Sequence, residues 1–228
     1  MTVRRAVLAV LVPGAAVLVA LHVSRIAERL RYPYDLILWG DDYFMTSMAK
    51  LAAGVPLYGP LADANSTVYA PGGAWLHHAL LAPFHLDTSL HANRVLTLCW
   101  LTLALAVGTF TVSKLSRRRD GALESRVDES LSAALAFLVL ALVALSNPVG
   151  DSLHPTDLEL LVLSSSLAVL AAWRELSPGR RLVANVLLPA AAVLSKQTAG
   201  LAVTGALAAA SFLDAEGPIA RRLRASVV

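Results

Sequence analysis

The chain has 228 residues, of which 57% are hydrophobic and only 15% charged. Its mean hydropathy is +0.63, its net charge +3 and its pI about 9.3. So little charge does not cover the surface of a soluble domain of this size. The basic residues gather at the ends of apolar blocks, with no aromatic-interleaved patch, which argues against a nucleic-acid partner.

The first apolar run, 6–23, follows Arg4 and Arg5. It is longer than a signal-peptide core and no small-x-small cleavage site precedes Arg25, so it reads as an uncleaved first transmembrane helix. Further apolar segments lie at 74–86, 95–113, 131–147, 158–173, 182–194 and 198–213. A span needs about 20 apolar residues. The 74–86 segment is shorter and contains His77, His78, Pro83 and His85, which suits a helix lying at the membrane surface.

Charge bias decides whether that segment crosses. If it does not, and the N-terminus is cytoplasmic, the cytoplasmic side receives Arg4, Arg5, Lys114, Arg117, Arg118, Arg119, Arg126, Arg174, Arg180, Arg181, Arg221, Arg222 and Arg224. That is thirteen of the 19 basic residues. If it crosses, only Arg4, Arg5, Arg94 and Lys196 remain inside. The expected fold is therefore all-α: a polytopic transmembrane bundle of about six spans, with both ends cytoplasmic. Residues 24–94 form a long extracytoplasmic first loop carrying short interfacial helices. Residues 114–128 form a cytoplasmic connector and 95–213 hold the later spans. The closing 214–228 segment is cytoplasmic, and the chain reads as the N-terminal portion of a longer protein.

Three polar clusters fall on the outer side of this topology. The first is Trp39-Gly40-Asp41-Asp42-Tyr43-Phe44, before a helical stretch from Met45 to Ala53 that Gly54 ends. A carboxylate there can take a proton from an attacking hydroxyl, and a close second carboxylate raises its pKa. The plainer role is capping of the helix that follows. The second is the loop from Asn147 to Glu159, with His154, Thr156 and Asp157. Ionisable groups at the mouth of a span are costly and often functional, although Thr156 or Asp157 also suits a cap. The third is Ser195-Lys196-Gln197 between two short spans. Lys196 offers a point charge for a phosphate, or snorkels to the interface. His77, His78, His85 and His91 fit no metal-ligand spacing and read as surface-helix residues near headgroups, so no metal is expected. Cys99, the one cysteine, sits in an apolar run and reads as a buried small residue.

The order of these parts resembles the polytopic, lipid-carrier-dependent glycosyltransferases of the GT-C superfamily, in particular bacterial mannosyl- and arabinosyltransferases. The similar parts are Asp41-Asp42-Tyr43-Phe44, Gly54-Val55-Pro56-Leu57-Tyr58, Tyr69-Ala70-Pro71 leading into the surface helix, and Arg94 at the start of the next span. The His154-Pro155-Thr156-Asp157 loop and the Ser195-Lys196-Gln197 junction are similar too. The resemblance covers most of the chain. It implies transfer of a sugar from a polyprenyl-phosphate carrier to a glycan or lipid acceptor hydroxyl, on the outer face of a bacterial plasma membrane and without a cofactor. It also implies a general base at Asp41, with Asp42 next, and a phosphate contact at Lys196. Gln197, His154, Asp157, Tyr69 and Arg94 become candidate substrate-binding residues. Two departures stand out. The relatives often have Asp-Glu where this chain has Asp41-Asp42, and Tyr-Pro-Pro where it has Tyr69-Ala70-Pro71. A transporter or lipid-handling protein is the rival, but it needs charges in mid-span, and these span centres are nearly free of charge.

Overall fold

Long runs of Ala, Leu and Val with few interior glycines or prolines favour helix, and helix is the only regular structure among the described residues. A computed structural model describes residues 3–31, 39–59, 70–120, 133–134, 137–138 and 156–215. The helices are α1 (Val3–Arg31), α2 (Trp39–Ala52), α3 (Gly72–Leu81), α4 (Leu90–Asp120), α5 (Thr156–Ala171), α6 (Pro178–Ser195) and α7 (Gln197–Asp214). Short 3-10 turns follow α3 at Ala82–Phe84 and α5 at Trp173–Glu175.

Among the described residues two helices are long and apolar enough to cross a membrane. One is Ala9–Glu28 within α1, with hydropathy 1.9 and 6% of its window buried. The other is Leu90–Lys114 within α4, with hydropathy 2.0 and 28% buried. Such low burial is unlike the core helix of a soluble protein. Val10, Leu11, Val17, Leu18 and Leu21 of α1 are exposed, as are Val183, Val186 and Leu187 of α6 and Leu201 and Leu213 of α7. An apolar surface this extensive marks contact with something other than water. At about 1.5 Å per residue, α5, α6 and α7 reach roughly 24–27 Å, a little under the ~30 Å of a hydrocarbon core.

Contacts at the helix ends fix how the helices run. His91 Nδ1 donates to the Leu30 carbonyl at 2.9 Å. The end of α1 therefore lies beside the start of α4, and the chain between them begins and finishes at one end of the bundle. Lys196 Nζ meets Glu159 Oε2 at 3.2 Å, joining the α6–α7 junction to the start of α5. At the other end Lys114 Nζ meets Glu175 Oε2 at 3.3 Å, and Arg181 pairs with Asp214. Helices α1 and α4, α5 and α6, and α6 and α7 are thus antiparallel, whereas α4 and α5 run parallel; α4 is packed most extensively on α5 and α6 on α7. Ile26 and Leu101 join α1 to α4, with Leu160 of α5 against them. Trp173, Ala184, Ala192, Ala199, Val203 and Leu207 form the core of the α5–α7 region. Phe44, Met48, Leu57 and Ala74 form a third cluster under α2 and α3.

Several boundaries differ from the sequence expectation. Helix α2 begins at Trp39 rather than Met45, so positions 41 and 42 lie in its first turn. Helix α4 continues to Asp120 and takes in Arg117, Arg118 and Arg119, which were expected in a connector; arginine is a good helix former. Helix α6 starts at Pro178, whose fixed φ suits a first helical position. Of the expected 131–147 span, residues 133–134 and 137–138 are helical and the remainder lies outside the described residues.

Two glycines are needed where they stand. Gly54 has φ +67 and closes α2: its N–H bonds Leu51 O at 3.0 Å and Val55 N–H bonds Lys50 O at 2.8 Å, the paired pattern of a left-handed helix stop. Gly72 lets α3 meet the end of α6; a Cβ there would stand 2.5 Å from the Leu194 carbonyl oxygen. Gly72→Ala is expected to destabilise the protein by about 1–3 kcal/mol, because backbone has to move. Gly54→Ala meets no neighbour and costs about 1 kcal/mol in backbone strain. Denaturant unfolding in mild detergent, followed by circular dichroism, compares the two; a Gly72→Ala loss no larger than that of Gly54→Ala would refute the close approach.

Candidate functional site

Helix α3 is too short to cross a bilayer, yet it touches α2, α4 and α6. Its inner face is made by Gly73, Ala74 and His77. His77 is fully buried, which the sequence did not suggest: the expected headgroup-facing histidine is instead the centre of a polar network. Its Nδ1 lies 2.9 Å from Asn93 Oδ1, and the Trp100 indole N–H donates to its Nε2 at 3.0 Å. An indole is a donor only, so Nε2 must accept, and the proton therefore sits on Nδ1 and is donated to Asn93. Asn93 in turn donates to the carbonyls of Asp87 and Ser89 at 2.8 and 2.9 Å. The Phe44 ring of α2 meets the imidazole edge-on at 5.0 Å. One neutral imidazole thus joins α2, α3 and α4.

The neighbouring histidines have separate tasks. His78 Nδ1 is 2.9 Å from Asp87 Oδ2, tying α3 to the turn before α4. His91 holds the end of α1. His85 closes the 3-10 turn with φ 56, a left-handed conformation uncommon outside glycine. Both ring nitrogens of His77 are taken by side chains, so it has no lone pair to offer a metal. Cys99 faces outward rather than into the core.

The candidate residues distribute as follows. Asp41 and Asp42 occupy the first turn of α2, one turn before Phe44, and their side chains lie outside the described residues. Asp157 and Gln197 are in the first turns of α5 and α7, again with side chains outside the described residues; Tyr69 and His154 lie wholly outside them. Arg94 is in the second turn of α4, next to Asn93, and is 3% exposed. Lys196 is half-exposed, while its partner Glu159 is mostly buried. Gly72 of α3 abuts Leu194, two residues from Lys196. Helix α3 thus brings α2, the first turns of α4 and the end of α6 to the same end of the bundle.

The residues missed in the sequence are His77, Asn93 and Trp100. Asn93, Thr97 and Trp100 recur at spacings of four and three, so they share a face of α4, and polar groups at that spacing in an apolar helix were the available signal.

Burial pushes the His77 pKa down to about 4, only partly opposed by the bond to Asn93. The unfolded value is near 6.5, so as pH falls from about 6.5 to 4 the unfolded chain takes a proton that the folded chain refuses. Stability is expected to be level above that window and to fall by about 3 kcal/mol across it. Unfolding midpoints measured at pH 7 and pH 4.5 check this, and His77→Gln should flatten the dependence; an unchanged slope in that variant would assign it to other groups. Comparison with protein-family models, with curated proteins and with solved structures finds no match to this chain.

Proposed function

We propose that the chain is a multi-pass membrane glycosyltransferase module. It moves a sugar from a polyprenyl-phosphate donor to a glycan or lipid acceptor hydroxyl on the outer face of the plasma membrane. What supports this reading is that an acidic helix turn, a buried arginine and a lysine stand on elements that α3 contacts, or beside their ends, at one end of an apolar bundle. They are the α2 turn with Asp41 and Asp42, Arg94 in α4, and Lys196 at the α6–α7 junction. An acid that can become a base, beside cations that suit a phosphate, is what this transfer requires.

In the proposed reaction Asp41, or Asp42 beside it, accepts the hydroxyl proton as the acceptor oxygen attacks the anomeric carbon. The bond from that carbon to the phosphate oxygen breaks, and the electron pair leaves on the polyprenyl phosphate. Lys196 and Arg94 are suited to hold that phosphate, Lys196 as a point charge and Arg94 through its planar fork. Tyr69, His154, Asp157 and Gln197 are the remaining candidates for substrate contact.

The proposed membrane arrangement has six spans, a cytoplasmic N-terminus, and α2 and α3 on the outer side. Alkaline phosphatase fused after Tyr58 or after Leu86 should be active, and fused after Asp120 inactive. Activity after Tyr58 but not after Leu86 would mean that α3 crosses, and the reverse of the whole pattern would put the acidic turn inside.

The transfer itself is tested with radiolabelled polyprenyl-phosphate sugars and membranes carrying the full-length protein. Replacing the base, Asp41→Asn or Asp42→Asn, should lower transfer by about 10²–10⁴-fold with insertion unchanged. Full activity in both variants, or no transfer from any donor, would sink the proposal.

A further inference from the structure

A cleft of about 300 Å³ opens at the opposite end of the bundle, between the turn after α5, the first turns of α6 and the last turn of α7. That is at the small end of small-molecule sites, which run from ~300 to 1,000 Å³. Trp173, Pro178, Arg181, Asn185, Ser211 and Asp214 are among its lining. Three of these carry a buried polar atom with no hydrogen-bond partner among the described residues: Trp173 Nε1, Asn185 Oδ1 and Ser211 Oγ. Trp173 is 5% exposed. Buried polar atoms are almost always partnered. Of the five such atoms among the described residues, three line this one cleft, while Thr109 Oγ1 and Ser113 Oγ of α4 are not in its lining.

The charged residues of the cleft do not ask for an ion. Arg181 donates Nε to the Leu176 carbonyl at 3.1 Å, one terminal nitrogen to Asp214, and the other to the Arg174 carbonyl at 3.4 Å. Its guanidinium also lies 5.6 Å from the centre of the Trp173 ring. Each of its three nitrogens thus has an acceptor, three of its five N–H donors being engaged, and its charge is balanced by Asp214. Arg174 approaches the other Asp214 oxygen at 3.7 Å from a largely exposed position.

The orphans themselves define the ligand. Trp173 offers only a donor, Asn185 Oδ1 only an acceptor, and Ser211 either. A phosphate satisfies Trp173 but sets its lone pairs against Asn185. An ammonium satisfies Asn185 but leaves Trp173 without an acceptor. A hydroxyl accepts from one and donates to the other.

We propose that this cleft binds a neutral, hydroxyl-bearing group, a sugar or glycerol unit, through Trp173, Asn185 and Ser211. The unit can belong to a lipid headgroup or to a free polyol. The inference does not depend on glycosyl transfer, because the cleft lies at the far end of the bundle from Asp41 and Lys196.

The test uses the full chain, ¹⁵N-labelled at tryptophan, in phosphatidylcholine nanodiscs. The Trp173 indole N–H resonance is identified by its loss in Trp173→Phe. Glucosyl diacylglycerol, methyl glucoside and phosphatidic acid are then titrated separately. A saturable shift with glucosyl diacylglycerol alone supports the proposal with a lipid source; an equal response to methyl glucoside supports it with a soluble one. Ser211→Ala and Asn185→Leu should each weaken the response at least tenfold, and Ser211→Ala, the smaller change, should melt as the wild type does. No shift with either glucoside, a shift with phosphatidic acid alone, or a response undiminished in Ser211→Ala would overturn the proposal and leave a cleft filled by water.

Discussion

The end of the molecule built from α2, α3 and the start of α4 depends on keeping one imidazole neutral. His77 has an indole hydrogen aimed at Nε2 and an amide oxygen facing Nδ1. A second proton on the ring would set two N–H groups against each other in a site closed to water. The cost of that state, rather than the strength of either hydrogen bond, is what makes the arrangement specific. Three helices follow from it. Helix α3 is held to α4 through Asn93 and Trp100, α2 is seated on the ring by Phe44, and Gly73 and Ala74 leave room for both. A ten-residue helix has little stability of its own. Its placement comes from these contacts and from Gly72 against Leu194, and the position of Lys196 relative to α2 comes from its placement.

The ion pairs at the helix ends act differently. Lys114 and Glu175 are 40% and 55% exposed, so solvent screens them and their net contribution is small. What they and the Arg181–Asp214 pair contribute is register: they mark which helix ends are level with one another. Between those ends the bundle is apolar on its outside as well as its inside. That is the reverse of a soluble bundle, where charged side chains would cover α1 and α7. The two spanning-length helices among the described residues and the exposed apolar faces of α6 and α7 point the same way, toward association with a membrane.

The sequence carried the helices because apolar length and charge bias are properties of contiguous residues. The runs at 6–23, 95–113, 182–194 and 198–213 fall within helices, and 158–173 lies in α5 as far as Ala171. It carried the ends less well. Arg117 to Arg119 read as a loop because they are charged, but charge does not stop a helix that emerges into water. The pairing of Glu159 with Lys196 was not legible, because it depends on where α5 and the α6–α7 junction meet in space. His77 was misread for a related reason: hydropathy describes where a side chain is comfortable on average, and a buried histidine is comfortable only with particular partners, here sixteen and 23 residues away.

The Lys196–Glu159 pair decides whether Lys196 is spent or poised. An ammonium has three N–H donors, and the carboxylate Oε2 at 3.2 Å engages one. The lysine is 51% exposed and the glutamate 15%, so the pair is embedded on the carboxylate side and open on the ammonium side. A free lysine on a long stem would lose side-chain entropy on meeting a phosphate; one already anchored by Glu159 has lost much of it. Glu159 also lowers the net charge of the junction, so an anionic group is held there without a strong excess of positive charge. On the proposed reading that suits a phosphate that has to leave after transfer, since a grip strong enough to trap the product would slow each turnover.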